Sequence, residues 1–138
     1  MIKKKLYMNA KKIDKFLISY LKSQNHSPLS EQMKYGVISG GKKIRSTIIF
    51  DTGRIFNVNK KKLINICAAV ECIHSYSLIH DDLPCMDNDS FRRGKPSAHI
   101  KFGESTAVLA GSSLLTLGFE IIADKNYKLN PKFKNEII

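Results

Sequence analysis

HDDLPCMDNDSFRRG, residues 80–94, decides how the whole chain is read. Four of the twelve carboxylates, Asp81, Asp82, Asp87 and Asp89, fall within it, and two of the four arginines, Arg92 and Arg93, follow at once. Carboxylates packed this closely repel one another and stay ionised near neutrality only when cations neutralise them. An all-oxygen donor set suits a hard cation, and magnesium in particular uses one or two protein carboxylates together with substrate phosphates. His80 does not turn the segment into a zinc site, because the histidines and cysteines lack zinc-ligand spacing. The D-x-D-x-D-G pattern of a calcium loop is also missing. Arg92 and Arg93 offer forked donors matched to phosphate oxygens. A merely solvated acidic turn beside a basic one is the simpler alternative; arginines at this distance favour a diphosphate site.

On a helix of about 3.6 residues per turn, His74, Asp81 and Asp82 share a face. Pro84 removes an N–H donor and disturbs the helix, so that Asp87 can swing back toward Asp81. The rest of the chain also reads as helix. Leu6, Ala10, Ile13, Phe16/Leu17 and Tyr20/Leu21 step by three and four through a basic first helix. A turn is expected at SQNHSP, a short helix over Leu29–Ser39, and another over Lys43–Phe56. Asn59 is placed to cap a long helix over Lys60–Asp82, with a stripe of Leu63, Ile66, Cys67, Val70, Ile73, His74 and Ser77. RRGKPS reads as loop, and Glu104–Ala123 as a buried helix in which Gly111 and Gly118 would admit a close neighbour. Phe133, Ile137 and Ile138 begin a further helix. No alternating strand pattern or internal repeat is present, so the expected fold is an all-α helical bundle.

The 138 residues suffice for one domain with a core. Three cysteines without a CxxC pair, Cys67, Cys72 and Cys85, read as reduced, buried or half-buried thiols of a cytoplasmic protein. The basic start lacks an apolar segment and a cleavage pattern, and Glu120 interrupts the most apolar run, so neither a targeting peptide nor a membrane span is expected. The net charge of +11 lies in residues 1–62, which carry fifteen Lys/Arg against three acids. Nineteen of the 23 cations are lysine, an excess that a biased composition alone would produce. A nucleic-acid-binding role is disfavoured, since the lysines lack interleaved aromatics and a motif. GGKKIR, 40–45, sets two glycines, Lys42, Lys43 and Arg45 at a helix start, a weak anion signal that is not a P-loop.

QMKYGVISGGKKIR, ECIHSYSLIHDDLPCMDNDSFRRGKPSAHIKFGESTAVLAG and SLLTLGFEII occur in order, and together they resemble the trans-isoprenyl diphosphate synthases of the farnesyl type. The resemblance covers about residues 1–125 and implies an antiparallel bundle of the isoprenoid synthase type. It implies that Asp81, Asp82 and Asp87 belong to a Mg²⁺ motif, with Asp81 and Asp87 the direct ligands. Arg92 would hold the allylic diphosphate, and Lys42, Arg45, His74 and Arg93 the diphosphate of isopentenyl diphosphate. The implied chemistry is ionisation, condensation and elimination, giving a short, farnesyl-length product. Tyr76 and Ser77, five and four residues before Asp81, would set that length.

The chain departs from the resembling pattern in three ways. Ser46 stands where proline is usual, and Ser112 where aspartate is usual. Nothing after Asp89 resembles the second aspartate-rich motif, so residues 1–138 are expected to be the N-terminal part of a single synthase domain, about half a bundle. A homodimer, or pairing with a synthase chain, would supply what is missing. A catalytically incompetent relic or a non-catalytic partner subunit is the alternative.

Overall fold

The computed structural model describes residues 2–23 and 28–138. Seven helices and one minimal hairpin are found there: α1 (Ile2–Ser23), α2 (Ser30–Ile38), α3 (Ile44–Ile55), α4 (Lys60–Asp81), β1 (Phe91–Arg92), β2 (Lys95–Pro96), α5 (Ala98–Phe102), α6 (Glu104–Ala123) and α7 (Pro131–Ile137). Residues 24–27 of the expected SQNHSP turn lie outside the described residues. RRGKPS, expected as loop, closes a two-stranded antiparallel ladder pairing Phe91 with Pro96 and Arg92 with Lys95. Two residues per strand are too few to leave an alternating pattern.

The helix boundaries follow local chemistry. Asn59 caps α4, its side chain accepting from the N–H of Lys61, and Asn130 does the same for α7 through Lys132, with Pro131 at the first position. Gly40, Gly41 and Lys43 all have positive φ, which halts the chain between α2 and α3 and turns it into a new direction.

α4 is the central helix, packed against α1, α2, α3 and α6. Its deepest residues are Leu63, Cys67, Ala68, Ala69, Glu71, Cys72, Ser75 and Ile79. The expected stripe through Ile66, Val70, Ile73, His74 and Ser77 is instead its half-buried side. A helix covered from several directions has no single apolar face, so periodicity finds one edge of the covered arc and misses the rest. α1 buries Ile13, Leu17 and Leu21 as read from its spacing, together with Asn9, whose amide donates to Thr47 Oγ1 at 3.2 Å.

By length and composition both α4 and α6 could cross a membrane, contrary to the expectation that no apolar run is long enough. Their apolar residues, among them Leu63, Cys67, Leu114, Leu117 and Ile121, form the core of the bundle. Core helices of this kind meet the same composition test as a span.

At Gly118 α6 lies close against α4. A Cβ there would stand 2.9 Å from Ile73 Cγ1 and 3.1 Å from the carbonyl oxygen of Ala69. Backbone cannot rotate away, so Gly118→Ala should destabilise the chain by about 1–3 kcal/mol, read by denaturant unfolding. An unchanged midpoint would contradict this packing.

Candidate diphosphate and metal site

The acidic segment begins where α4 ends. Pro84 stops the helix, and the chain doubles back through a set of backbone hydrogen bonds. The N–H of Asp87 donates to the Asp81 carbonyl at 2.8 Å, that of Asp89 to the Asp82 carbonyl at 3.2 Å, and those of Met86 and Asn88 to Leu83 at 2.9 and 3.0 Å. Asn88 takes the left-handed conformation that this fold-back needs. Asp81, half-buried, and Asp87, exposed, therefore start from adjoining backbone at the top of α4.

Asp82 points the other way. It is 2% exposed and its carboxylate is gripped by Arg92. Arg92 Nε donates to both oxygens at 3.1 Å, and Nη2 donates to Oδ1. Asp89 Oδ2 lies 3.7 Å from the same guanidinium. Asp82 hydrogen bonding, with the nearby charges of Asp82, Asp89 and Asp81, holds the Arg92 proton more firmly than usual. Asp82, expected in a metal motif, and Arg92, expected on a diphosphate, are joined to each other.

A cationic edge gathers around His74, seven residues before Asp81 on α4. Arg93 donates to the Gly40 carbonyl and lies over Gly41, where a Cβ would meet its Cζ at 2.7 Å. Arg45 Nη1 stands 3.2 Å from His74 Nε2. A guanidinium only donates, so Nε2 accepts and the imidazole is neutral in this contact. Burial, then the charge of Arg45, lowers the His74 pKa, and Arg93 and Lys43 act in the same sense. Arg45, His74 and Arg93 thus converge, while Lys42 is exposed beside them. Lys43 of the same GGKKIR cluster is not available to an anion. It is buried, with Nζ 3.0 Å from the Val37 carbonyl and 3.3 Å from Asp14 Oδ1.

Ser77 continues the His74–Asp81 side, its hydroxyl donating to the His74 carbonyl at 2.9 Å. Tyr76 packs edge-on against His80, ring centroids 4.6 Å apart, and His80 Nε2 is 3.1 Å from the Val108 carbonyl of α6. Tyr76 therefore stands toward α6.

No three His, Cys, Asp or Glu side chains among the described residues form a ready-made metal cage. Asp81 and Asp87 present oxygen donors at an open rim. That donor chemistry fits a hard cation that keeps water and phosphate in its remaining positions, and it does not fit zinc. Cys67 and Cys72 are inside the core, where burial pushes both thiols up to about 12. Cys85, expected among the buried or half-buried thiols, is exposed in the acidic turn.

Two residues of this region were passed over in the sequence. Glu71, 3% exposed, accepts from the Ser46 hydroxyl at 2.7 Å and from the Ser46 N–H at 3.3 Å. Ser46, noted above only as a departure from proline, supplies two donors that proline lacks. The available signal was a carboxylate inside an apolar helix, three residues before His74.

A helical bundle with an aspartate-rich turn at the end of its central helix, and an arginine–histidine contact about two turns lower on that helix, defines an isoprenoid-synthase-like architecture. The polyprenyl synthetase family profile matches residues 26–137, and the chain belongs to that family. It is 58% identical over 98 residues to the farnesyl diphosphate synthase of Buchnera aphidicola from Acyrthosiphon pisum, covering 71% of this chain and 35% of that one. It is 52% identical over 107 residues to the farnesyl diphosphate synthase of Escherichia coli, covering 78% and 36%. Among solved structures, an FPP/GFPP synthase from Zymomonas mobilis superposes with a TM-score of 0.89 at 39% identity, covering 98% of this chain and 49% of that one. The chain therefore spans about a third of the curated relatives it matches and about half of the solved structure.

Proposed function

We propose that this chain is the diphosphate-gripping part of a magnesium-dependent prenyltransferase that joins an allylic diphosphate to isopentenyl diphosphate, with a farnesyl-length product. The observation that carries the reading is the pair of clusters along α4: Asp81 and Asp87 on adjoining backbone at its end, and Arg45, His74 and Arg93 forming a cationic edge about two turns below. Asp81 and Asp87 would hold magnesium, which when bound supplies positive charge to a departing diphosphate. Arg45 and Arg93 would fix the oxygens of the second diphosphate, with Lys42 adding charge from the rim. Arg92, held by Asp82, would turn its remaining N–H donors to the allylic diphosphate. Fixed positive charge aimed at a leaving group needs no side-chain nucleophile.

Calorimetry of the purified chain with an allylic bisphosphonate mimic tests the reading. Uptake is expected with magnesium and should fall sharply without it. Folded protein that shows no magnesium-dependent uptake would remove the basis of the proposal.

The aromatic ring of Tyr76 is proposed as the stop for the growing chain. In an assembly that turns over, Tyr76→Ala should shift the product toward longer chains, read by chromatography of the dephosphorylated alcohols. An unaltered product spectrum would reduce Tyr76 to a packing residue.

A cytoplasmic setting and association with a second chain belong to the same proposal. Ile44 and Ile48 of α3, and Leu109 and Phe119 of α6, are exposed, and apolar residues of this size suit burial against another chain. If the chain binds diphosphate yet turns nothing over until a complete synthase is added, the non-catalytic subunit reading is the correct one.

A further inference from the structure

Glu71 and Asp82 are buried carboxylates on or beside α4. Asp82 is answered by a guanidinium, but among the described residues no ion pair reaches Glu71. Its partner is the start of α3. Glu71 Oε1 accepts the Ser46 hydroxyl at 2.7 Å and the Ser46 N–H at 3.3 Å. That N–H is one of the donors a helix leaves unpaired in its first turn, and the positive end of α3 favours a carboxylate there. Ser46 is fully buried, so the clasp is closed to water.

The position of the clasp gives it a consequence. Ser46 follows Arg45 directly, and Glu71 lies three residues before His74, about one turn of α4. The buried Ser46–Glu71 contact and the Arg45–His74 contact thus tie the same turn of α3 to the same part of α4. Arg45 is exposed, and a long exposed side chain does not keep one geometry unaided. We propose that Glu71 is a positioning residue, clamping Ser46 so that Arg45 and His74 meet as one diphosphate-holding edge. This rests on the function proposed above. The charged groups acting on His74 are Arg45 on α3, Lys43 just before α3, Arg93 on the hairpin and Glu71 on its own helix.

The test uses this chain with inorganic pyrophosphate as probe, calorimetry for affinity and nitrogen NMR for the His74 titration. Ser46→Ala removes the hydroxyl and keeps the Glu71 charge. It should weaken pyrophosphate binding about five- to tenfold, less than the full worth of a buried hydrogen bond to a charged group, because the Ser46 N–H still reaches Glu71. The His74 midpoint should rise as the Arg45 charge recedes. Glu71→Ala removes a negative charge beside an anion site, which by charge alone would tighten binding; weakening in spite of that marks positioning. Tyr127→Phe, which removes a bond to the Lys62 carbonyl at the other end of α4, controls for lost stability and should change neither quantity. If affinity or the His74 midpoint stays at its wild-type value in Ser46→Ala, the proposal is overturned. If the wild-type chain takes up no pyrophosphate, the proposed function fails instead, and the His74 midpoint alone decides the clasp.

Discussion

Asp81→Ala is expected to abolish magnesium-dependent uptake of an allylic bisphosphonate while leaving the fold as stable as before or slightly more so. The stability half follows from where Asp81 lies. It is the last residue of α4, beside carbonyls that have no helical partner and carry partial negative charge. A carboxylate at that end is unfavourable, and removing it should gain at most about 0.5 kcal/mol. Asp82 and Asp89 add negative charge nearby, both within reach of Arg92. A position that costs stability and carries a half-buried acid is better explained by a cation that comes with the ligand.

The binding half follows from the fold-back. The Asp87 N–H bonded to the Asp81 carbonyl at 2.8 Å brings the two residues together, so that under the proposed function their carboxylates would form one donor set, and magnesium held by a single carboxylate would be weakly held. The loss should exceed about a hundredfold in affinity, or roughly 3 kcal/mol. Asp89→Ala serves as the control, because Asp89 accepts from the Phe91 N–H at 3.3 Å and borders Arg92; it should change uptake by less than about threefold. Equal effects of the two substitutions in calorimetry would show that general negative charge, and no defined donor pair, draws in the cation.

Much of this architecture was legible because its causes are local. The caps at Asn59 and the α6 boundaries come from residues next to each other in the chain. Gly111 and Gly118 predicted close approach from their size, and a Cβ at either would meet α4 at under 3 Å. The acidic turn also announced itself, since Pro84 and the aspartates lie within one short segment. What escaped the sequence joins residues far apart. Ser46 and Glu71 are 25 positions apart, Asn9 and Thr47 are 38 apart, and no period links them. Lys43 looked like part of a basic anion site, yet its positive φ, its hydrogen bond to the Val37 carbonyl and its ion pair with Asp14 turn it inward. Charge in a sequence tells sign but not direction. The same limit separates Asp82 from its neighbour Asp81: successive helical residues point about 100° apart, so one acid of the pair meets the rim and the other the interior.

That divergence leads to the largest expected loss of stability, at Arg92. Asp82 is 2% exposed, and the guanidinium answers both of its oxygens. Arg92→Ala would leave the carboxylate buried with its main partner gone. Breaking such a pair typically costs about 3–5 kcal/mol. The Arg92 side chain is 34% exposed, so water can reach part of the vacated space, and a loss of about 2–3 kcal/mol is expected. For a chain of this size that lowers the melting temperature by roughly 5–10 °C. Arg92→Lys should recover only part of it, because an ammonium cannot make the two-oxygen grip. The decisive comparison adds Asp82→Asn to Arg92→Ala. If the cost is an unanswered charge, the double variant will be more stable than Arg92→Ala alone, an effect opposite to the usual accumulation of damage. Thermal melts of the four proteins in the cycle measure this directly. Purely additive losses would mean that Arg92 acts through packing of its aliphatic stem, and that Asp82 is not held in place by charge.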